Sequence, residues 1–265
     1  MSLSPEELER YARHIVLHEL GGAGQQRLKA ARVLVVGAGG LGSPALLYLA
    51  AAGVGRLTIV DDDAVSLSNL QRQVIHATPD VGTPKVASAA AAIGRLNPHV
   101  AVAAHAIRLG AGTAADLFPG HDLVLDGSDS FETRALVNAA CVAARIPLLT
   151  AAMSPWEGQA GLFDPARGGP CYACVFPEAP DPALLPSCAR AGIVGALAGV
   201  MGSLLALEAV KEITGAGTGL RSTLLLLDAL HADTRRIRTR PRPGCPVCGG
   251  GFPRARPSLA AAPRA

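Results

Sequence analysis

Apolar runs of four or five residues alternate, over the first 150 residues, with longer stretches in which apolar side chains recur at helical spacing. The runs predict strands and the longer stretches predict helices, because buried strands are short and continuous whereas helices repeat every 3.6 residues or so. The predicted strands are 32–36, 56–60, a third near Val100, 122–125 and 147–151. The predicted helices are 40–52, 83–96 and 131–145, the second capped by Thr83 with Pro84 in its first turn.

The pattern changes from about Trp156 onward, where the glycine and proline content rises. This half predicts antiparallel strands, a long loop, an apolar helix within 192–210 and a last strand at 223–227. Strands alternating with helices indicate a mostly parallel sheet covered on both faces. We therefore expect an α/β fold, Rossmann-like, with helices on both sides of the sheet and a C-terminal antiparallel region.

The two ends of the chain and its most apolar segment indicate whether the protein is secreted or spans a membrane. Ser4, Pro5 and Glu7 form a capping-box pattern that predicts an N-terminal amphipathic helix rather than a signal peptide, so we expect a cytoplasmic protein. Segment 192–210 is long enough to raise the question of a membrane span, but Glu208 and four glycines interrupt it. We expect a buried helix at a core or subunit interface, and no membrane. Residues 251–265 predict a disordered tail.

Charge and cysteine content narrow the choice further. The formal net charge is only +3, which does not indicate a nucleic-acid partner. Six cysteines without a signal peptide favour a reducing compartment, where paired thiols bind metals more often than they form disulfides. The seven histidines show no metal-ligand spacing and are assigned no role.

A glycine-rich loop follows the first predicted strand and opens the next helix. Its residues Gly37, Gly39, Gly40 and Gly42 would let a phosphate approach backbone N–H groups at a helix N-terminus. Asp61 ends the second strand, at the spacing of a carboxylate that holds ribose hydroxyls. The glycine-rich loop and Asp61 together favour a nucleotide site over a tight turn that binds no ligand. The loop alone, however, would suit NAD, FAD or ATP equally.

Charged residues after this loop separate those ligands. Arg72 lies in the polar segment 66–73 just past the second strand, and Lys85 begins the next helix. A triphosphate needs such cations more than a dinucleotide does, although either residue taken alone could be an ordinary surface charge. Asp126 and Asp129 follow the strand at 122–125, where carboxylates could hold Mg²⁺; a turn that caps the following helix is the alternative.

Four of the cysteines form two CxxC pairs, Cys171/Cys174 and Cys245/Cys248. They supply the number and local spacing of ligands for a tetrahedral structural zinc site, although about seventy residues separate the pairs, and four unrelated thiols remain the alternative. Cys188 precedes the apolar helix and is either a reactive loop thiol or an ordinary buried one. Cys141, inside a helix, is expected in the core.

The ordered motifs Arg10-Tyr11-Ala12-Arg13, GAGGLG, VDDDAVSLSNLQRQ, GTPK, DLVLDGSDS, CYAC and CPVCGG resemble the MoeB/ThiF/HesA family, bacterial relatives of ubiquitin-activating enzymes. The resemblance runs from about Glu6 to Gly250. It implies one adenylyltransferase domain over 1–250, with a nucleotide-binding half at about 1–152 and a carrier-binding and zinc half at about 153–250. It also implies ATP with Mg²⁺, and a structural zinc ion on the four CxxC cysteines.

The implied reaction is attack of a carrier's C-terminal Gly-Gly carboxylate on the α-phosphate of ATP, which precedes thiocarboxylate formation. Arg13 would reach the triphosphate of a partner subunit, which implies a homodimer; Cys188 would match a loop cysteine that takes part in sulfur transfer, and Asp129 would bind Mg²⁺. The implied nucleotide contacts are Gly37, Gly39, Gly40, Gly42, Asp61, Asp63, Ser68, Asn69, Arg72, Lys85, Asp129 and Ser130.

Some features depart from the family pattern or leave alternatives open. Ser130 stands where the family usually has Asn, and Gly127 where it often has Cys. No rhodanese domain follows Cys248, so a separate sulfur donor, a cysteine desulfurase or a rhodanese, is implied. The carrier could belong to the molybdopterin pathway, which we favour, or to the thiamine pathway. An NAD(P)-dependent oxidoreductase and a catalytically silent nucleotide-binding scaffold are the other two hypotheses.

Overall fold

The computed structural model describes residues 2–178 and 192–249. Its strands are β1 (Arg32–Val36), β2 (Arg56–Val60), β3 (Ala101–His105), β4 (Leu123–Asp126), β5 (Leu148–Met153), β6 (Glu157–Phe163), β7 (Thr223–Asp228) and β8 (Asp233–Arg238). They form one sheet in the order β3-β2-β1-β4-β5-β6-β7-β8. Strands β1 to β5 pair in parallel, and β6 to β8 pair antiparallel. The mixed α/β fold predicted from the sequence is confirmed.

The helices are α1 (Pro5–Arg10), α2 (Ala12–Ile15), α3 (Gly21–Ala30), α4 (Gly42–Ala51), α5 (Lys85–Leu96), α6 (Ala111–Leu117), α7 (Phe131–Ala144), α8 (Tyr172–Val175) and α9 (Gly195–Thr214). The Ser4/Glu7 capping box is present, although the predicted first helix breaks at Tyr11 into α1 and α2. Thr83 does not cap α5, contrary to the prediction: Pro84 is the N-cap and the helix begins at Lys85. Helices α3 and α6 were not predicted.

The two faces of the sheet carry separate hydrophobic clusters. Val33 and Val35 of β1 face a cluster that includes Leu46 of α4 and Met201 of α9. Leu34 of the same strand faces the opposite side, with Val137 of α7 and Phe118 after α6. Because side chains alternate along a strand, five apolar residues in a row can serve both faces.

Helix α9 lies in the first of these clusters and packs on α4. A Cβ at Gly202 would lie 2.3 Å from the Leu41 carbonyl oxygen and from Pro44, so only glycine permits this approach. Buried Glu208 accepts a hydrogen bond from the backbone N–H of Leu220 at 2.8 Å and pairs with Lys211 at 2.6 Å. Its charge is thus satisfied inside the protein, as the prediction of a buried helix requires. No helix among residues 2–178 and 192–249 has the length and hydropathy to span a bilayer.

The sequence prediction stopped one strand short at the far edge of the sheet. Strand β8 pairs with β7 but is exposed along its whole length and carries Arg235, Arg236 and Arg238. Periodicity could not identify it, because a strand with neither face buried has no apolar alternation.

Candidate functional site

Strands β1, β2 and β4 end at the same edge of the sheet, where a cleft of about 360 Å³ opens. Ligands of open α/β sheets bind in such a crevice beyond the carboxyl ends of the strands. The cleft is lined by Val36, Gly37, Gly39, Gly40, Leu41, Val60, Asp61, Asp62, Asp63, Arg72, Gln73, Lys85, Ile107, Arg108, Leu109, Gly127, Ser128, Asp129, Ser130, Thr133, Arg134, Met153 and Ile193. Four predicted nucleotide-contacting residues are outside this lining: Arg13, Gly42, Ser68 and Asn69.

The glycine loop joins β1 to α4 by a turn that only glycine permits. Gly37 has φ +92°, and a Cβ at Gly42 would lie 1.8 Å from the Gly37 carbonyl oxygen. Gly127, after β4, packs so close that its Cβ would lie 3.2 Å from the Gly42 nitrogen. Two backbones thus meet at the floor of the cleft. The glycine at position 127, a departure from the family pattern, allows this contact without displacement of the loop.

Asp61 fixes the far side of the loop from the end of β2. One carboxylate oxygen accepts the Ala38 N–H at 2.8 Å, and the other accepts the Asp63 N–H at 2.9 Å. Burial raises the pKa of Asp61, against the lowering effect of these hydrogen bonds and of Lys85. Asp61 is thus fixed in orientation and still lines the cleft.

The two predicted cations reach the cleft from different directions. Lys85 is only 5% exposed, and its ammonium pairs with Asp63 at 2.6 Å. The Arg72 guanidinium donates to the Ser68 carbonyl oxygen at 3.2 Å, so Ser68 positions Arg72 although it does not line the cleft itself. Arg108 and Arg134 add positive charge to the same walls.

The acidic residues after β4 divide into two kinds. Asp126 is fully buried and accepts the Ser128 N–H at 3.0 Å and the Thr150 hydroxyl at 3.1 Å; burial raises its pKa. Asp126 therefore closes a turn with Ser128 and does not line the cleft beside Asp129, and it does not cap α7 as the turn alternative expected. Asp129 is exposed and lines the cleft. Ser130 caps α7 by accepting the Thr133 N–H at 3.0 Å.

A second acidic group in the cleft was not singled out as a metal site. Carboxylate oxygens of Asp61, Asp62 and Asp63 all lie within 4.8 Å of one another, close enough to share a cation. Asp129 lines the same cleft but does not belong to this group.

The sequence analysis missed two buried residues at the site. Arg134 is 6% exposed, lines the cleft, donates to the Ser128 carbonyl oxygen at 2.7 Å and lies over the Phe131 ring. His76 is 7% exposed and contacts the Ala38 carbonyl oxygen at 3.0 Å, which corrects the view that no histidine has a role. A helical arginine and a histidine without a metal-ligand pattern carry no local signal. Only the position of His76 between Arg72 and Lys85 pointed to the cleft.

Two other predicted residues are not among those that line the described cleft, and for one of them the structure gives no position. Arg13 is exposed on α2 and belongs to a different surface from the lining. Cys188 lies outside the described residues.

The four CxxC cysteines come together near the C-terminal end of α7. Neighbouring Sγ atoms are 3.7 Å (Cys171 to Cys174), 3.6 Å (Cys171 to Cys245) and 3.5 Å (Cys174 to Cys248) apart. A zinc ion with four thiolates at about 2.3 Å would separate them by roughly 3.8 Å, so the donor set fits a tetrahedral metal. The cluster packs against Val142 of α7, and so ties the chain after β8 to the helical layer.

The cluster already favours thiolate at one position. Burial raises the pKa of Cys171 and of Cys174. At Cys245 burial also acts upward, but hydrogen bonds from the backbone of Cys248 and Val247 lower the pKa to about 6. A turn whose N–H groups face sulfur prepares the site for a cation.

Comparison with known proteins gives a consistent result. The model of the ThiF family matches residues 11–247. The chain is 48% identical over 251 residues to a SAMP-activating enzyme E1 of Haloferax volcanii, covering 95% of this chain and 92% of that one. It is also 48% identical over 253 residues to a sulfur carrier protein adenylyltransferase of Thermus thermophilus, covering 94% and 93%.

Among solved structures, the fold is similar to that of Escherichia coli MccB in complex with MccA-N7isoAsn. The TM-score is 0.80 at 24% identity, and the match covers 91% of this chain and 75% of that one. At this identity the likeness shows the fold, and the chemistry must be argued from the residues of the cleft.

Proposed function

This chain belongs to the ThiF family, and from that membership we propose that it adenylates the C-terminal carboxylate of a small ubiquitin-like sulfur-carrier protein with ATP. The relatives named as a sulfur carrier protein adenylyltransferase and a SAMP-activating enzyme match nearly their whole length. The pathway of the carrier, molybdopterin or thiamine, stays open, with molybdopterin favoured.

The observation that carries the proposal is the convergence of Asp61, Arg72, Lys85 and Asp129 on one cleft beside the glycine loop. In the proposed reaction a carboxylate attacks the α-phosphate of ATP, the acyl-adenylate forms and pyrophosphate leaves. Two anions must meet, so the site has to neutralise negative charge. The ammonium of Lys85 and the guanidinium of Arg72 supply that charge, and the N–H groups of the glycine loop can receive phosphate oxygens.

The proposed roles of the other nucleotide-binding residues depend on where each side chain lies relative to the cleft. The Asp61 carboxylate would accept hydrogen bonds from ribose hydroxyls, because its oxygens are already oriented by two backbone N–H groups. Asp63 pairs with Lys85, and the lysine would exchange this partner for phosphate. Ser68 and Asn69 would act through the placement of Arg72, since Ser68 accepts its hydrogen bond.

Two metal ions are part of the proposal. Mg²⁺ would be held by Asp129, which is exposed in the cleft, and would offset the charge of the triphosphate. Zn²⁺ would be held by Cys171, Cys174, Cys245 and Cys248, whose sulfur separations fit a tetrahedron. All four zinc positions are then filled by protein, which makes that site structural.

The partners extend beyond one chain. Arg13 is exposed and outside the cleft of its own subunit, which suits a residue that completes the site of a second copy in a homodimer. The carrier would lie against the antiparallel half, residues 153–250. We propose a separate sulfur donor, a cysteine desulfurase or a rhodanese, and a role for Cys188 in sulfur transfer.

The direct test is exchange of labelled pyrophosphate into ATP with the purified protein, Mg²⁺ and either a molybdopterin-type or a thiamine-type carrier. Each carrier is used with and without its terminal Gly-Gly. We expect exchange that requires one intact carrier, which would also identify the pathway. ATP binding without exchange for any carrier would contradict the proposed adenylation and favour a nucleotide-binding scaffold.

A further inference from the structure

His76 joins three parts of the cleft that are far apart in sequence. Its Nε2 atom lies 3.0 Å from the carbonyl oxygen of Ala38 in the glycine loop. Its Nδ1 atom lies 2.8 Å from the hydroxyl of Ser88 on α5. The histidine itself belongs to the segment that carries Arg72, so one ring connects the glycine loop, the Arg72 segment and the helix of Lys85.

Both backbone polar groups of Ala38, which belong to successive peptide units, are held by hydrogen bonds. Its N–H donates to Asp61 at 2.8 Å, and its carbonyl oxygen receives His76 and the Ser43 hydroxyl, the latter at 3.2 Å. Loss of the His76 bond would leave the carbonyl with the weaker, longer contact from Ser43. The peptide unit between Ala38 and Gly39 could then rotate, and the Gly39 N–H, which shares that plane and belongs to the cleft lining, would lose its alignment.

The hydrogen-bond partners of His76 determine which ring nitrogen carries the proton. A carbonyl oxygen can only accept, so Nε2 must be the donor to Ala38. Burial lowers the pKa of His76, which favours the neutral ring with a single N–H. The Ser88 hydroxyl donates its hydrogen to Asp80 at 2.8 Å, and its oxygen lies 2.8 Å from Nδ1. Ser88 therefore fixes the orientation of the ring, whereas the Ala38 carbonyl requires the proton on Nε2.

Ser88 lies three residues after Lys85, on the same face of α5. His76 thus links the first turn of α5, which carries Lys85, to the Ala38 carbonyl. Neither His76 nor Ser88 lines the cleft, so their effect on nucleotide must be indirect.

We propose that His76 is a positioning residue for ATP: its Nε2–H holds the Ala38 carbonyl and sets the glycine loop in register with Arg72 and Lys85. The inference rests on the proposed function, since it names ATP as the nucleotide of this cleft.

The test compares two substitutions that each keep one half of the ring's hydrogen bonding. In His76→Gln the side-chain amide can occupy the place of Nε2 and donate to Ala38, whereas in His76→Asn it can occupy only the place of Nδ1. We expect His76→Gln to bind a non-hydrolysable ATP analogue within about threefold of wild type, and His76→Asn to bind about tenfold more weakly. Ser88→Ala should lie between them, because it removes only the contact that orients the ring and leaves Nε2 able to donate to Ala38.

His121 provides the matched control. It likewise lies between a carbonyl and a hydroxyl, with Phe118 at 3.1 Å and Thr58 at 2.9 Å, but it is half-buried and lies outside the cleft. His121→Gln and His121→Asn should lower the thermal midpoint Tm to a similar extent as the His76 variants, and should leave the affinity for the ATP analogue unchanged.

The outcomes distinguish this inference from the proposed function. Equal losses of affinity in His76→Gln and His76→Asn, or equal retention in both, would overturn the positioning role while wild-type carrier-dependent exchange still supports adenylation. A Gln variant that binds and an Asn variant that does not would support the role even if no carrier gave exchange. Wild-type protein that binds no ATP analogue would overturn both.

Discussion

The cleft and the four-cysteine cluster flank α7, and the two sites are built in opposite ways. In the cluster, three of the four cysteines are buried and each sulfur has another sulfur within 3.7 Å. In the cleft, Asp63 and Asp129 are exposed, and Lys85 is held by a carboxylate that a phosphate can replace. A closed site suits a permanent metal that stabilises the fold, whereas an open one suits ligands that come and go.

The cleft and the four-cysteine cluster differ in which groups hold their side chains in place. In the cleft, the backbone N–H groups of Ala38 and Asp63 hold the Asp61 carboxylate, so hydrogen bonds within the protein fix its orientation. In the cluster each sulfur lies beside another sulfur, and a metal would join all four through their thiolates. Substitutions should therefore separate activity from stability along this division.

The largest effect should come from Asp129→Ala in the cleft. Loss of the proposed Mg²⁺ ligand should reduce carrier-dependent pyrophosphate exchange by a factor on the order of 100 or more, because phosphate charge would be left unbalanced. Tm and zinc content should not change. The matched control is Asp116→Ala on α6, which is exposed and outside the cleft, and should exchange at the wild-type rate. Exchange at the wild-type rate in Asp129→Ala would remove Asp129 from the metal role.

Cys171→Ser tests the cluster and should act on stability first. Loss of one thiolate should lower the zinc content measured by mass spectrometry and reduce Tm by roughly 10 °C. Cys141→Ser provides the comparison, because Cys141 is equally buried in α7 but does not belong to the cluster. It should keep its zinc. If Cys171→Ser retained both full zinc and full Tm, the four cysteines would not form a structural metal site.

The smallest effect should come from Asp126→Asn, and it should depend on pH. Burial raises the pKa of Asp126 above 3.8, so the folded state binds a proton more tightly than the unfolded state does. For wild type this contribution to the free energy of unfolding is fully present below about pH 3.8 and is lost as the pH rises through the folded-state pKa. Asparagine does not titrate.

The stability of Asp126→Asn relative to wild type should therefore increase from pH 4 to pH 8, as denaturant unfolding can measure. Activity should stay close to wild type, since Asp126 does not line the cleft and an amide can still accept from Ser128 and donate to Thr150. A relative stability that does not vary with pH would show that Asp126 is not the buried titrating group. The result would also sharpen the difference between Asp126 and Asp129, which sequence alone treated as a pair.

The sequence by itself determined the features that local physics encodes. The strands β1 and β2, the glycine turn before α4 and the Ser4 capping box follow from apolar runs, positive φ and side-chain capping, each within a few residues. The CxxC pairs and the polar residues after β2 and β4 also identified most of the cleft and cluster, because parallel strands bring their carboxyl ends to one edge.

Only the tertiary structure decided which side chains share a contact across long sequence distances. It buried Asp126 while leaving Asp129 exposed three residues later, and it brought His76 and Arg134 to the cleft from segments without a motif. It also added β8, whose exposed faces carry no periodic signal. Burial and hydrogen-bond partners depend on residues from several elements at once, so no local pattern in the chain could have specified them.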